Sequence, residues 1–428
     1  MPQMYRFARA IFILWLSAST ASGQAGGRGE PTQGERLLEL EKLNRDLARR
    51  LEKLEGEESA GFGATDTEEE GAGEYLDDIP FGMQLEYGDV AATVQIFGDV
   101  GFSYTNPDSA DQGNSLFSLG SLSLLLNTQF GPNLRMLSES VVEVDSNDDG
   151  QISQERLWVM WQYDDSFYAK LGTEHSPLAR YNQLYHHGLW FETSVTRPQA
   201  VLFEGGGILP LHRTGLQLGG RVENDLGGFE YFGFVSNGRG IMPTDKQRSS
   251  DEDDSKALDA GLAFEPISDF DLRFGVSGTY DEIPDDPNSL DPLRARSMRE
   301  VILAGHAEWN SGPLELRCEY FHIEHEARAT GEVFTSDAAY VQAEFPRESW
   351  TPYVRLDFLD MKEGDPFYAP LDRDLDAWGP AVGFRHDLSP NVAVKLEGSF
   401  LRQDERDGGG GITTDDVVSL ALQVSWWL

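Results

Sequence analysis

The chain has 428 residues, 39% hydrophobic and 11% aromatic, enough for one large folded domain and an appendage. Its formal net charge of -39 excludes nucleic acid as a partner, since the phosphates would be repelled. After the N-terminus no apolar run approaches the roughly 20 residues of a membrane helix, which excludes a helical membrane protein but leaves a barrel open.

Met1 to about Ala21 reads as a secretory signal: Arg6 and Arg9 supply positive charge, Ala10 to Leu16 the apolar segment, and Ser19-Thr20-Ala21 a small-residue cleavage site. Residues 30–56 predict a coiled-coil helix. Leu37, Asn44 and Leu51 take heptad position a, and Leu40, Leu47 and Leu54 take d. Residues 57–88 are acidic and glycine-rich at first, a composition that cannot bury enough apolar surface to order itself, so a flexible linker is expected there.

From residue 89 to 428 the pattern is β. Val94, Ile96, Val100, Phe102 and Tyr104 share one face; Leu272, Phe274, Val276 and Tyr280 alternate with Arg273, Ser277 and Thr279. The closing strand, Val417 to Leu428, sets Val418, Leu420, Leu422, Val424, Trp426 and Leu428 against Ser419, Ala421, Gln423 and Ser425. About sixteen such segments occur, each of the length a tilted spanning strand needs. Short connections such as Gly131-Pro132-Asn133, Ser311-Gly312-Pro313 and Ser389-Pro390-Asn391 alternate with long ones. That two-stroke rhythm is the mark of an all-β transmembrane antiparallel barrel with short turns at one rim and long loops at the other, and the closing strand is expected to pair with the first.

The chain resembles the bacterial general and phosphate-selective porins of the outer membrane, especially those with an N-terminal periplasmic coiled coil. The resemblance is carried by Arg156 to Glu174 followed by Ser176-Pro177-Leu178, by the long connection after the fifth strand, and by the aromatic C-terminal strand. Two departures are Leu428 where the family usually ends in phenylalanine, and Ala421 and Gln423 in place of the usual residues of the insertion signal. The resemblance implies passive diffusion of small hydrophilic solutes or ions through a trimer of sixteen-stranded barrels, set in outer-membrane lipid and lipopolysaccharide with the coiled coil in the periplasm. An outer-membrane tether, with the barrel as its anchor, is the alternative.

The third long connection, His175 to Leu211, is by far the longest, and loops of that length inside a compact domain are usually functional. In porins it folds into the barrel. On this reading Arg180, His186, His187, Arg197, Glu204 and Arg213 form a constriction. Strand register also turns Arg135, Lys170, Arg221, Arg273, Arg317, Arg355, Arg385 and Lys395 to the lumen near the short turns, either as an anion-attracting band or as a wall braced by ion pairs with carboxylates such as Glu319, Asp357 and Glu397. Acidic loops around Asp251–Asp254, Asp281–Pro287 and Asp372–Asp376 oppose it, so the sign of selectivity stays open.

Asp145 to Gly150 nearly copies a calcium loop, but position 12 is Arg156 where a bidentate glutamate is required. His322 and His325 would face opposite sides of a strand and cannot share an ion. With neither a phosphate loop nor a nucleophile elbow, the sequence points to no enzyme, no metal site and no cofactor.

Overall fold

The computed structural model describes residues 82–428 apart from 107–114, 145–149, 187–189, 203–206, 246–253, 269–270, 372–375 and 407–411. The expected signal peptide, the coiled coil, nearly all of the linker, His187, Glu204, the calcium-like loop up to Gly150 and the acidic runs at 251–253 and 372–375 lie outside the described residues.

The first half of the fold consists of β1 (Met83–Tyr87), β2 (Val90–Asn106), β3 (Ser115–Ser118), β4 (Ser121–Phe130), β5 (Leu134–Val144), β6 (Gly150–Asp164), β7 (Phe167–His175), β8 (His212–Asn224) and β9 (Gly227–Ser236). The second consists of β10 (Ala257–Pro266), β11 (Asp271–Ile283), β12 (Met298–Asn310), β13 (Glu315–Ala327), β14 (Glu332–Glu344), β15 (Trp350–Asp360), β16 (Asp376–Ser389), β17 (Val392–Arg406) and β18 (Ile412–Trp427). Successive strands pair antiparallel, and β3 and β4 lie one after the other along the same edge of β2 as a single interrupted stave. The result is a closed sixteen-stranded antiparallel barrel.

Ring closure falls to β18 and β2, in register from Val418 opposite Asn106 to Trp427 opposite Phe97. Leu428 completes the seam: its amide donates to the Ile96 carbonyl at 2.9 Å, and the Ile96 amide donates back at 3.2 Å. Beyond it β1 folds onto residues 90–94 of β2, in line with β18. This strand lies inside the stretch expected as linker; it covers the last open segment of an edge that would otherwise invite pairing with another chain.

Burial is inverted relative to a water-soluble protein. Along β15, Val354, Leu356 and Phe358 are 38%, 52% and 48% exposed, while Arg355 and Asp357 between them are 2% and 7% exposed. The same alternation runs through β11, β14 and β18. Only an apolar surround makes such a surface favourable, because each exposed aliphatic side chain would cost about 1.5–3 kcal/mol against water. Short hairpin turns close one rim, where Gly131 and Gly312 take positive φ (62° and 84°) that a Cβ would resist.

Candidate functional site: the third long loop and the wall that holds it

The loop leaves β7 at His175 and returns to β8 at His212, residues that stand opposite each other in the strand register. Among its described residues it carries one short helix, α1 (Arg180–Tyr185), and a helical turn at Gln199–Val201. The Asn182 side chain donates to the carbonyls of Ser176 (3.1 Å) and Leu211 (2.9 Å), tying the helix across both feet of the loop.

From there the loop docks on side chains of distant strands. The Glu319 carboxylate on β13 accepts the amides of Arg180 (2.6 Å) and Tyr181 (2.7 Å) at the start of α1, where unpaired N–H groups favour a negative charge. It also accepts the Tyr340 hydroxyl at 2.8 Å. Arg180 itself reaches Glu308 at 3.4 Å, and Ser277 on β11 donates to the Leu178 carbonyl at 2.7 Å. Further along, Glu397 on β17 accepts the amides of Val195 (3.1 Å) and Thr196 (3.2 Å), the Thr196 hydroxyl and the Tyr353 hydroxyl (2.5 Å). Asp357 accepts the Gln199 amide at 3.1 Å, and Thr193 donates to Glu344 at 2.5 Å.

The basic residues of the wall grip the same segment. Arg355 donates to the Thr196 carbonyl (2.6 Å), the Thr196 hydroxyl (2.9 Å) and the Arg197 carbonyl (3.3 Å), and is neutralised by Asp357 at 2.8 Å. Arg385 donates to the Trp190 carbonyl and lies 4.5 Å from the centre of its ring. Lys395 donates to the Ser194 carbonyl at 3.4 Å. Arg317 pairs with Glu344 and with the loop's own Glu192 (3.3 Å), and sits 4.5 Å over the Tyr185 ring.

Three of the expected brace pairs therefore divide. Arg355 and Asp357 do pair along their strand, but Glu319 and Glu397 are taken up by loop amides and hydroxyls. Orphan backbone donors buried where the loop meets the wall need acceptors as badly as the cations do.

The other basic positions stay on the wall. Arg135 donates to Asn127 (2.8 Å), and Lys170 pairs with Glu174 (2.8 Å) above the Trp158 ring. Arg221 pairs with Glu223 and Glu265 (both 2.5 Å), and Arg273 with Glu230 (2.6 Å) and Glu265. Arg213, expected in the constriction, is instead buried among Asp281 (3.2 Å), Thr279 (3.1 Å) and Asp259 (3.5 Å). That cluster continues through Arg239 and Glu300 (2.8 Å) to His325, which also meets Asp365 at 2.6 Å. His322 points the other way and is half exposed, so the two histidines of this strand do face opposite sides.

The tip of the loop also touches the facing wall. Phe191 and Phe97 have ring centroids 5.5 Å apart, Trp190 and Trp427 6.5 Å apart, and both loop rings join a buried cluster with Leu125, Leu137, Trp158 and Met160. This apolar inner surface departs from the polar lumen that strand alternation predicts. Its signal was the paired apolar residues on both faces of β4 to β6, a departure from strict alternation.

A group of three histidines also comes together at the feet of the loop. His186, expected in the constriction, meets His175 and His212, the two residues that bracket the loop, with ring nitrogens all within 4.8 Å of one another. No spacing motif announces such a trio; the histidines at both ends of the longest connection were the available clue.

The fold thus defines an outer-membrane-type β-barrel. No protein-family model and no curated protein matches the chain. Solved structures do: the anion-selective porin from Comamonas acidovorans is 13% identical and covers 79% of this chain and 100% of its own, with a TM-score of 0.55. The outer membrane channel DcaP of Acinetobacter baumannii is 11% identical over 81% of this chain and 99% of its own, with a TM-score of 0.52. The trimer form of in-vitro folded OmpT, an outer membrane protein of Vibrio cholerae, is 9% identical over 80% and 100%, also at 0.52. At such identities the likeness establishes the porin fold and nothing narrower.

Proposed function

We propose that the chain is an outer-membrane porin, a water-filled channel for passive diffusion of small hydrophilic solutes or ions, narrowed by the third long loop. The observation that carries the reading is the docking of that loop on inward-facing charges of β13 to β17. A loop serving as an outer lid would satisfy its backbone with water and neighbouring loops. This one draws acceptors and donors from side chains far along the opposite strands, as a segment laid across a lumen must. Arg180 and Arg197 belong to this crossing segment, whereas Arg213 serves to hold the wall. Planar bilayers containing the purified protein are expected to show discrete conductance steps. Silent bilayers, with correctly folded barrels, would sink the channel and leave a membrane anchor for an N-terminal tether.

The reading includes a homotrimer in outer-membrane lipid, and one outward patch supports self-association. At mid-strand on the outer face His322 and Asp337 stand directly opposite each other with Nδ1 and Oδ1 2.9 Å apart, and the Tyr320 hydroxyl donates to the same carboxylate. A carboxylate and an imidazole facing lipid at that depth are costly, whereas a second copy can cover them. Replacing His322 and Asp337 together by leucine and alanine is expected to convert a detergent-resistant oligomer to folded monomer. If the patch faces lipid, the same change strengthens the barrel and leaves the oligomer intact; gel mobility before and after heating distinguishes the two.

A further inference from the structure

The three histidines at the feet of the loop take no part in the clamps described above. His175 ends β7, His212 begins β8, and as register partners they project their side chains to the same side of the ladder. His186 arrives from the end of α1. Ring centroids are 4.7 Å apart for His175 and His186, 4.7 Å for His186 and His212, and 5.3 Å for His175 and His212. The rings meet edge-on, at 64° to 74°, rather than stacking. Each offers one ring nitrogen, and the three nitrogens lie within 4.8 Å of one another.

All three rings are buried, His186 completely. Two carboxylates border the trio: Glu155 Oε2 is 3.1 Å from His212 Nε2, and Glu139 Oε2 is 3.6 Å from His175 Nε2. Three imidazoles beside a carboxylate form a donor set suited to a borderline divalent transition ion, and too rich in nitrogen for calcium or magnesium.

We propose that His175, His186 and His212 bind a divalent transition-metal ion of the zinc class, with Glu155 as the fourth ligand. Zinc bonds nitrogen at about 2.0–2.1 Å, which sets tetrahedral ligands roughly 3.3 Å apart, so the rings close by at most about 1.5 Å on loading. Two groups oppose the ion: Arg197 Nη1 lies 3.0 Å from His186 Nδ1 and can only donate there, so it holds a lone pair that a metal could use, and Arg156 Nε holds Glu139 Oε2 at 2.6 Å. The ion and Arg197 therefore compete for His186. Loaded, the site would staple both feet of the loop to the end of α1 and fix the segment that crosses the barrel.

The test reads metal binding directly and is independent of whether the barrel conducts. Tag-free, full-length protein in detergent is stripped with chelator and titrated with Zn(II) by calorimetry, and with Co(II) by visible absorption. One ion per chain is expected, with an intense tetrahedral Co(II) spectrum, release of protons if the histidines start protonated, and a rise in the unfolding temperature. His212→Ala and His186→Ala, checked for intact barrels by heat-modifiable mobility, should each weaken binding at least a hundredfold. Arg197→Leu should tighten it, an outcome that no merely structural histidine cluster produces. No uptake by the unaltered protein at millimolar Zn(II), or uptake unchanged in both histidine variants, overturns the proposal.

Discussion

Arg355→Ala is expected to release the crossing loop and raise single-channel conductance at least twofold, with noisy transitions between levels. The guanidinium makes three of the contacts that fix Thr196 and Arg197, and it is the cation that neutralises Asp357. Truncation leaves a buried carboxylate without its partner and two loop carbonyls short of donors. Breaking one half of a buried charge pair costs about 3–5 kcal/mol, several times the value of a surface ion pair. Much of that cost falls on the docked state of the loop, because a loop that swings away lets water reach Asp357. The barrel itself, closed by a continuous ladder, keeps its fold. Arg355→Lys retains the charge but not the fork, and should give an intermediate result, since a single ammonium cannot serve the carboxylate and both carbonyls together. Bilayer recordings at fixed salt decide the point: an unchanged conductance in Arg355→Ala would mean that the segment at 190–199 does not limit the pore.

How far this arrangement could be read beforehand differs between its parts. The strands were legible because lipid on one side and a polar interior on the other impose a strict period of two, seen best from Val354 to Phe358. Closure by β18 followed from the same alternation. β1 was not legible, since Met83–Tyr87 is only five residues long and its place is set by the gap that β18 leaves along β2. Register likewise gave the inward direction of Arg317, Arg355, Arg385 and Lys395. It could not give their partners, because those are carbonyls of a loop remote in sequence whose path is decided by which acceptors and donors remain unpaired. Glu319 and Glu397 show the limit most clearly. Their spacing from Arg317 and Lys395 suggested ion pairs, yet amides of the loop outbid the neighbouring cations for both carboxylates. The histidine trio is legible only after the β7–β8 register is known, for nothing in the spacing of residues 175, 186 and 212 implies a common point.

The second large effect concerns acid. Glu192 lies in the loop, outside the spanning strands. Burial would push its carboxyl up, but Arg317 beside it and the N–H and hydroxyl of Ser194 outweigh that and hold it at about 2. A carboxyl whose folded value lies below its unfolded one favours the docked state above the unfolded value, and the advantage disappears as pH falls through the folded value. With an ordinary carboxyl near 4.5 as reference, the shift corresponds to about 3 kcal/mol of docking stability. It is present in full at neutral pH and drains away between about pH 4.5 and pH 2. Loss of the Glu192 anchor should therefore make the pore larger and noisier as the pH falls from about 4.5 toward 2. Glu192→Gln keeps the shape but loses the charge, leaving Arg317 to Glu344 alone. Its recordings at pH 7 should already resemble those of the unaltered protein at low pH, and should change much less on acidification. An acid response of the same size in Glu192→Gln would place the controlling carboxyl elsewhere, with Glu319, which accepts the amides of Arg180 and Tyr181, the next group to replace.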